Sequence, residues 1–250
     1  MTQSSVSRLP EWMTIVQDTQ ALNQAAANEF VRCASNAIRE QGRFAVALSG
    51  GNTPRAIYSL LAEKYANSVP WDQIFVFFGD ERHVPPNDPD SNFRMASESL
   101  LSRVPIPAKN VHRIQAELNA SMAADQYEAT LREFFAPPNG QLPRFDLVML
   151  GMGEDGHTAS LFPGTTALEE NSRLVVANHV EKLQTDRITL TFPLLNAAAE
   201  VMVAIAGENK ARVVSDIVSS PQKTLYPIQR VDPRGGRLLW LVEQKAASSV

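Results

Sequence analysis

Short, continuously apolar runs recur along the chain, and four of them stop at a glycine that opens a polar loop. Phe44–Leu48 runs into Ser49-Gly50-Gly51, Ile74–Phe78 into Gly79-Asp80-Glu81, Leu147–Leu150 into Gly151-Met152-Gly153, and Val201–Ala206 into Gly207-Glu208-Asn209-Lys210. Runs of this length without polar alternation predict strands buried on both faces, as in a parallel sheet covered by helices. Ile188–Phe192 and Arg237–Val242 predict two further strands. Between them apolar residues return at helical spacing: Leu22, Ala26, Phe30, Cys33 and Ala37 before a stop at Gly42, then Ile57, Leu60 and Leu61, then Tyr127, Leu131 and Phe134. The alternation predicts an α/β fold. Open parallel sheets gather their ligand-binding groups at the carboxyl ends of the strands, so the four glycine loops are expected to converge on one cleft.

Composition narrows the picture. The 250 residues, 44% of them hydrophobic, suffice for one core, and a single domain over residues 1–250 is expected. The net charge is −4, and the 23 basic residues are scattered, which disfavours nucleic acid as a partner. Cys33 lies in an Ala-rich helical run and reads as a small buried residue; one cysteine cannot form an intrachain disulfide. Met1–Pro10 is polar and lacks the apolar core of an export signal, and no run approaches the roughly 20 apolar residues of a membrane span. A soluble cytoplasmic protein is expected. The Pro-rich stretches Val84–Pro89, Pro105–Pro107 and Pro137–Pro143 read as surface connections.

Ser49-Gly50-Gly51-Asn52-Thr53-Pro54 joins the first of these strands to a helix, with Thr53 expected to cap and Pro54 at the first helical position. Glycines let the backbone approach a ligand, and a helix start favours an anion such as phosphate. On this loop alone, a tight βα turn without ligand is an equal reading. A Walker-type lysine is missing, which argues against a nucleotide triphosphatase. Arg187, at the head of its strand, and Lys210, after Gly207, are the cations that could complete an anion site, although each alone reads more readily as a solvated surface charge.

Gly151-Met152-Gly153-Glu154-Asp155-Gly156 has the spacing of a dinucleotide fingerprint, but its two carboxylates would repel a pyrophosphate and Pro163-Gly164 spoils the helix that should follow. His157 in the same loop is suited to accept a proton near neutrality, with Asp155 to orient it. His83, His112 and His179 have no comparable setting. Asp80-Glu81-Arg82 is expected to bring two carboxylates and a guanidinium towards the same cleft, unless it forms a salt-bridged loop that fixes Val84–Asp90. Neither zinc-ligand spacing nor a Gly-x-Ser-x-Gly elbow is present, so base-assisted attack by water remains.

The stretches Ser49–Pro54, Gly79–Arg82, Ser91-Asn92, Gly151–Gly164, Arg187–Thr191 and Gly207 with Lys210, in this order, resemble the 6-phosphogluconolactonase family, which is related to glucosamine-6-phosphate deaminases and isomerases. The resemblance implies a Rossmann-like α/β fold, an open, mostly parallel β-sheet with helices on both faces. It implies hydrolysis of 6-phospho-D-glucono-1,5-lactone in the pentose phosphate pathway, with no metal and no organic cofactor. The expected partner is thus a small sugar-phosphate lactone, and the chain is expected to be a monomer or weak homodimer.

On this reading Gly50, Gly51, Asn52, Thr53, Asp80, Arg187 and Lys210 bind the substrate, while His157, Asp155 and Arg82 carry the chemistry. Deaminases of this kind carry a glutamate where Phe162 stands here, which favours the lactonase branch over an amino-sugar phosphate isomerase; a non-catalytic sugar-phosphate sensor is the third reading. Lactonases often have Lys-Pro-Pro before the arginine of the Arg-Ile-Thr-Leu-Thr stretch. Lys182-Leu183-Gln184 here implies a different loop.

Overall fold

A computed structural model describes residues 9–219 and 225–250, so most of the polar stretch Met1–Pro10 lies outside the described residues. Its elements in chain order are β1 (Met13–Val16), α1 (Thr19–Gln41), β2 (Phe44–Leu48), α2 (Asn52–Tyr65), β3 (Ile74–Phe78), β4 (Asp80–Arg82), α3 (Asn92–Ala96), α4 (Ala120–Phe135), β5 (Leu147–Leu150), β6 (Val175–Val180), β7 (Thr185–Leu190), α5 (Phe192–Leu195), β8 (Glu200–Ile205), α6 (Ala211–Ser219) and β9 (Arg237–Glu243). Six strands form one parallel sheet in the order β1-β9-β8-β5-β2-β3. Every residue of β2, β5 and β8 is buried, which is why β2, β5 and β8 from Val201 onward read as unbroken apolar runs.

After β2 the chain moves outward to β3, whereas after β5 it moves the other way, to β8 and β9. Parallel crossovers are right-handed, so α1 and α2 are placed on one face and α4 and α6 on the other. The direction reverses between β2 and β5, and the crevice beyond their carboxyl ends is where such a sheet takes a ligand. Helix α1 shows how firmly the sequence sets these layers. Asp18 caps it by accepting from the Ala21 N–H at 2.8 Å, and Gly42 ends it at φ 75° with its N–H on the Ile38 carbonyl. Cys33 is buried on its inner face, and burial pushes the thiol pKa up.

Two buried tyrosines finish the sheet where the loops begin. Tyr58 Oη accepts from the Ser49 N–H at 2.9 Å and donates to the Ser49 carbonyl at 3.0 Å. Tyr127 Oη does the same for Phe78, at 2.7 and 3.1 Å. Buried backbone groups that leave a ladder need such partners.

The sequence reading is corrected at three places. The run Ile188–Phe192 is not in the parallel sheet: Ile188–Leu190 belongs to β7, the middle strand of a separate antiparallel sheet ordered β4-β7-β6. Gly79 joins the two sheets, donating to the Leu48 carbonyl at 2.8 Å and accepting from the Leu190 N–H at 2.9 Å. Thr53 does not cap α2 and Pro54 is not its first residue; the helix starts at Asn52, with Gly51 at the cap in a φ of 105° and no side-chain cap bond. Strand β8 is shifted by one residue, to Glu200–Ile205. Among the described residues no helix is long and apolar enough to cross a membrane.

Candidate active site

The four glycine loops do converge. A cavity of about 390 Å³ lies beyond the carboxyl ends of β2 and β5, lined by Ser49–Pro54 from one side and by Gly151–Gly153 and His157–Ala159 from the other. Asp80, Arg82 and Asn92 close one end, and Asn209 and Lys210 the other. The volume suits a small polar metabolite. A larger groove of about 740 Å³ between Arg144, Phe192, Arg230 and Arg234 lies at the amino ends of β5, β8 and β9, away from these loops.

The Ser49–Thr53 turn is built for close approach. A Cβ on Gly50 would fall 1.8 Å from Asn92 Oδ1, so only glycine lets the α3 residue Asn92 lie against the turn. With Gly51 as an unbonded cap, the first N–H groups of α2 stay available to an anion. Ser49 is 5% exposed, and its Oγ, at the cavity, has no hydrogen-bond partner among the described residues. A buried hydroxyl that faces a cavity is placed to bond a group held there. Across the cavity the Lys210 ammonium makes no hydrogen bond or ion pair among the described residues, and burial lowers its pKa from the usual lysine value.

His157 and Asp155, expected as base and orienting acid, are hydrogen-bonded to each other. Asp155 Oδ1 lies 2.5 Å from His157 Nδ1 and also accepts the His157 N–H at 3.2 Å. Burial raises the Asp155 pKa, but hydrogen bonds from Lys182 and His157 outweigh it and hold the carboxyl at about 2. An ionised acceptor at this distance places the imidazole proton on Nδ1 and leaves Nε2 as the basic nitrogen. The imidazole stacks on the buried Phe162 ring, centroids 4.0 Å apart. Gly153 is shaped by the same pair: a Cβ there would sit 2.1 Å from His157 Nδ1 and 2.8 Å from Asp155 Oδ1.

The remaining expected residues fall in different places. Asp80 lines the cavity but is buried, its carboxylate accepting from Ser160 Oγ at 2.6 Å and more weakly from Asn92 Nδ2 at 3.4 Å, so it holds the wall. Glu81 does not face the cleft: it is buried and takes the N–H groups of Arg82, Asn92 and Phe93, tying β4 to the start of α3. Burial raises its pKa against those bonds. Arg82 lines the cavity while its Nη1 donates to the Asp90 carbonyl at 2.7 Å, so it both faces the site and pins the Pro-rich segment. Arg187 does not line the cavity. It stands opposite Arg82 in the β4–β7 ladder, half-buried, and burial and then the Arg82 charge lower its pKa.

Ser49 Oγ, Asn92 and Lys182 are not among the site residues expected from the sequence; Ser49 opens the expected anion-binding turn, Ser91-Asn92 belongs to the family resemblance, and Lys182 marks the departure from it. Away from the site, Glu29, Cys33 and Glu200 cluster as metal ligands could, but Arg32 and Arg237 already bond both carboxylates.

The parallel sheet with its site at the switch point defines an α/β protein with a cleft for a small anionic ligand. Residues 17–240 match the family described as glucosamine-6-phosphate isomerases/6-phosphogluconolactonase, and the chain belongs to that family. It is 41% identical over 238 residues to a 6-phosphogluconolactonase of Nostoc sp., covering 94% of this chain and 97% of that one. It is also 41% identical over 220 residues to a Synechocystis sp. 6-phosphogluconolactonase, covering 86% and 88%. The solved 6-phosphogluconolactonase from Trypanosoma cruzi superposes with a TM-score of 0.87 at 27% identity, covering 97% of both chains. A monomeric glucosamine-6-phosphate deaminase shares the fold, with a TM-score of 0.79 at 17% identity.

Proposed function

We propose that this chain hydrolyses 6-phospho-D-glucono-1,5-lactone to 6-phospho-D-gluconate, the step of the pentose phosphate pathway carried out by the relatives it matches, with His157 as general base. The observation that carries the reading is the His157–Asp155 pair, 2.5 Å apart, facing a phosphate-ready turn across one cavity.

The Ser49–Thr53 turn, with Ser49 Oγ and Lys210, holds the 6-phosphate, and Arg187 adds positive potential from its place opposite Arg82 in the β4–β7 ladder. Binding energy at the phosphate fixes the lactone carbonyl near His157. His157 Nε2 takes a proton from water as its oxygen bonds to C1, and the carbonyl electrons move onto an oxyanion that Arg82 stabilises. Asp155, ionised, steadies the imidazolium. Collapse of the tetrahedral intermediate breaks the bond from C1 to the ring oxygen, which receives the proton from Nε2. The new carboxylic acid then ionises, so one proton is released per turnover.

The amino-sugar reading lacks its acid: Phe162 occupies that place, with its ring against His157. Acid release from freshly generated lactone, corrected for spontaneous hydrolysis, tests the proposal. Wild-type acceleration that is lost in His157→Ala supports it. Acceleration by both leaves the activity and removes the base, and ammonia release from glucosamine 6-phosphate in place of lactone hydrolysis overturns it.

A further inference from the structure

Strands β6 and β7 form a hairpin whose last pair is Val180 with Thr185. Between them Glu181–Leu183 makes a single tight helical turn, closed by Gln184 in a left-handed φ of 48° with its N–H on the Glu181 carbonyl at 3.0 Å. From this tip Lys182 reaches back to the catalytic loop. Its Nζ hydrogen-bonds Asp155 Oδ2, the oxygen that His157 does not use, and lies 5.0 Å from the centroid of the Phe162 ring on which His157 stacks. The two carboxylate oxygens are thus divided between a lysine from the hairpin and a histidine from the loop after β5.

We propose that Lys182 is a positioning residue for the base: it fixes the rotation of the Asp155 carboxylate and takes up part of the charge that Asp155 would otherwise direct wholly at His157. This rests on the reading of His157 as the base.

A base works best when it is free of its proton at working pH, and a carboxylate bonded to an imidazole favours the charged ring. Lys182 opposes that bias, both by sharing the carboxylate and by its own positive charge. The other charged groups around the ring are arranged more remotely. Asp80 and Arg82 stand at one end of the cavity, and Lys210 at the other. Glu154 is held by Asn209 Nδ2 at 2.5 Å. The hairpin's own acids, Glu181 and Asp186, pair with His179, and Asp186 also with His83. Among the described residues, Lys182 is therefore the cation placed to act on Asp155 directly. Its side chain is 54% exposed, so solvent limits the size of the effect.

The test is a proton NMR titration of the histidine Cε1–H resonances in wild type, Lys182→Met and Lys182→Arg, with the His157 signal identified by its loss in His157→Gln. In parallel, kcat/KM for the lactone is followed against pH. In Lys182→Met the His157 midpoint is expected to rise by about half a pH unit, with the acid limb of kcat/KM moving by the same amount; Lys182→Arg restores both. A lysine that merely braced the hairpin would lower kcat/KM at every pH without moving the limb or the midpoint. A His157 midpoint unmoved in Lys182→Met overturns the inference. A shifted midpoint in a protein that does not hydrolyse the lactone leaves the inference standing and overturns the proposed activity.

Discussion

Gly153→Ala is a sharp probe of where the reacting imidazole must sit. The backbone at Gly153 lies outside the left-handed region, so alanine is allowed there and the cost falls on the neighbours. The added Cβ would lie 2.1 Å from His157 Nδ1, 2.2 Å from Cε1 and 2.8 Å from Asp155 Oδ1. Ordinary contact begins near ~3.4 Å, so the ring must move by more than about 1 Å, and a misplacement of that size costs roughly 10²-fold in rate. Phe162, already stacked at 4.0 Å, limits how the ring can yield.

The expected result is therefore a kcat about 10²-fold lower, equivalent to about 2.7 kcal/mol of lost transition-state stabilisation, with KM changed by less than about threefold. The assay is initial-rate acid release at saturating lactone, with thermal unfolding measured on the same preparations. Gly79→Ala is the matched control, since its Cβ meets only the Leu48 carbonyl at 3.5 Å and Gly79 does not line the cavity. A folded Gly153→Ala enzyme that turns over at the wild-type rate would refute catalysis by His157 from this position.

Two further outcomes follow from the site. Ser49→Ala removes a buried hydroxyl that has no partner among the described residues, so unfolding in urea should show stability unchanged or raised by up to about 1 kcal/mol while KM for the phosphorylated lactone rises several-fold. Folding lowers the Asp155 pKa from 3.8 to about 2, so the folded state binds fewer protons in that window. Its contribution to stability is complete above about pH 4 and is lost as the pH falls towards 2; an acid-unfolding curve of Asp155→Asn should lack that part of the dependence.

The parts of the fold that could be read in advance are those where burial alone dictates residue type. Strands β2, β3 and β5 are sheathed on both faces and appear as apolar runs with the bounds expected of them. Strand β4 could not be seen, because Asp80-Glu81-Arg82 is held extended by its ladder to β7 and not by an apolar pattern. Strand β7 was read from Ile188 onward because Thr185, Asp186 and Arg187 are only partly buried and carry no apolar signal. At the site, the glycine loops and the His157–Asp155 pair were legible because they are local. Lys182 was not, since 27 residues separate it from Asp155 and only the hairpin's path brings them together. Nor could the sequence show that Ser49 Oγ has no partner among the described residues or that Arg187 stands opposite Arg82 in the β4–β7 ladder.

Tyr58 and Tyr127 have a consequence beyond the strand ends they close. Each satisfies both backbone groups of one residue where the parallel sheet ends, Ser49 just after β2 and Phe78 at the end of β3, so those groups need nothing from the residues beyond, and Gly79, which bonds Leu48 and Leu190, completes the frame. The segments that follow are in effect exchangeable fittings on a finished chassis. Different chemistries can be mounted on such a frame by rewriting the turns after β2 and β3, which is consistent with one family embracing both lactonases and isomerases. For redesign, the two tyrosines mark the positions to keep while the loops beyond them are replaced whole.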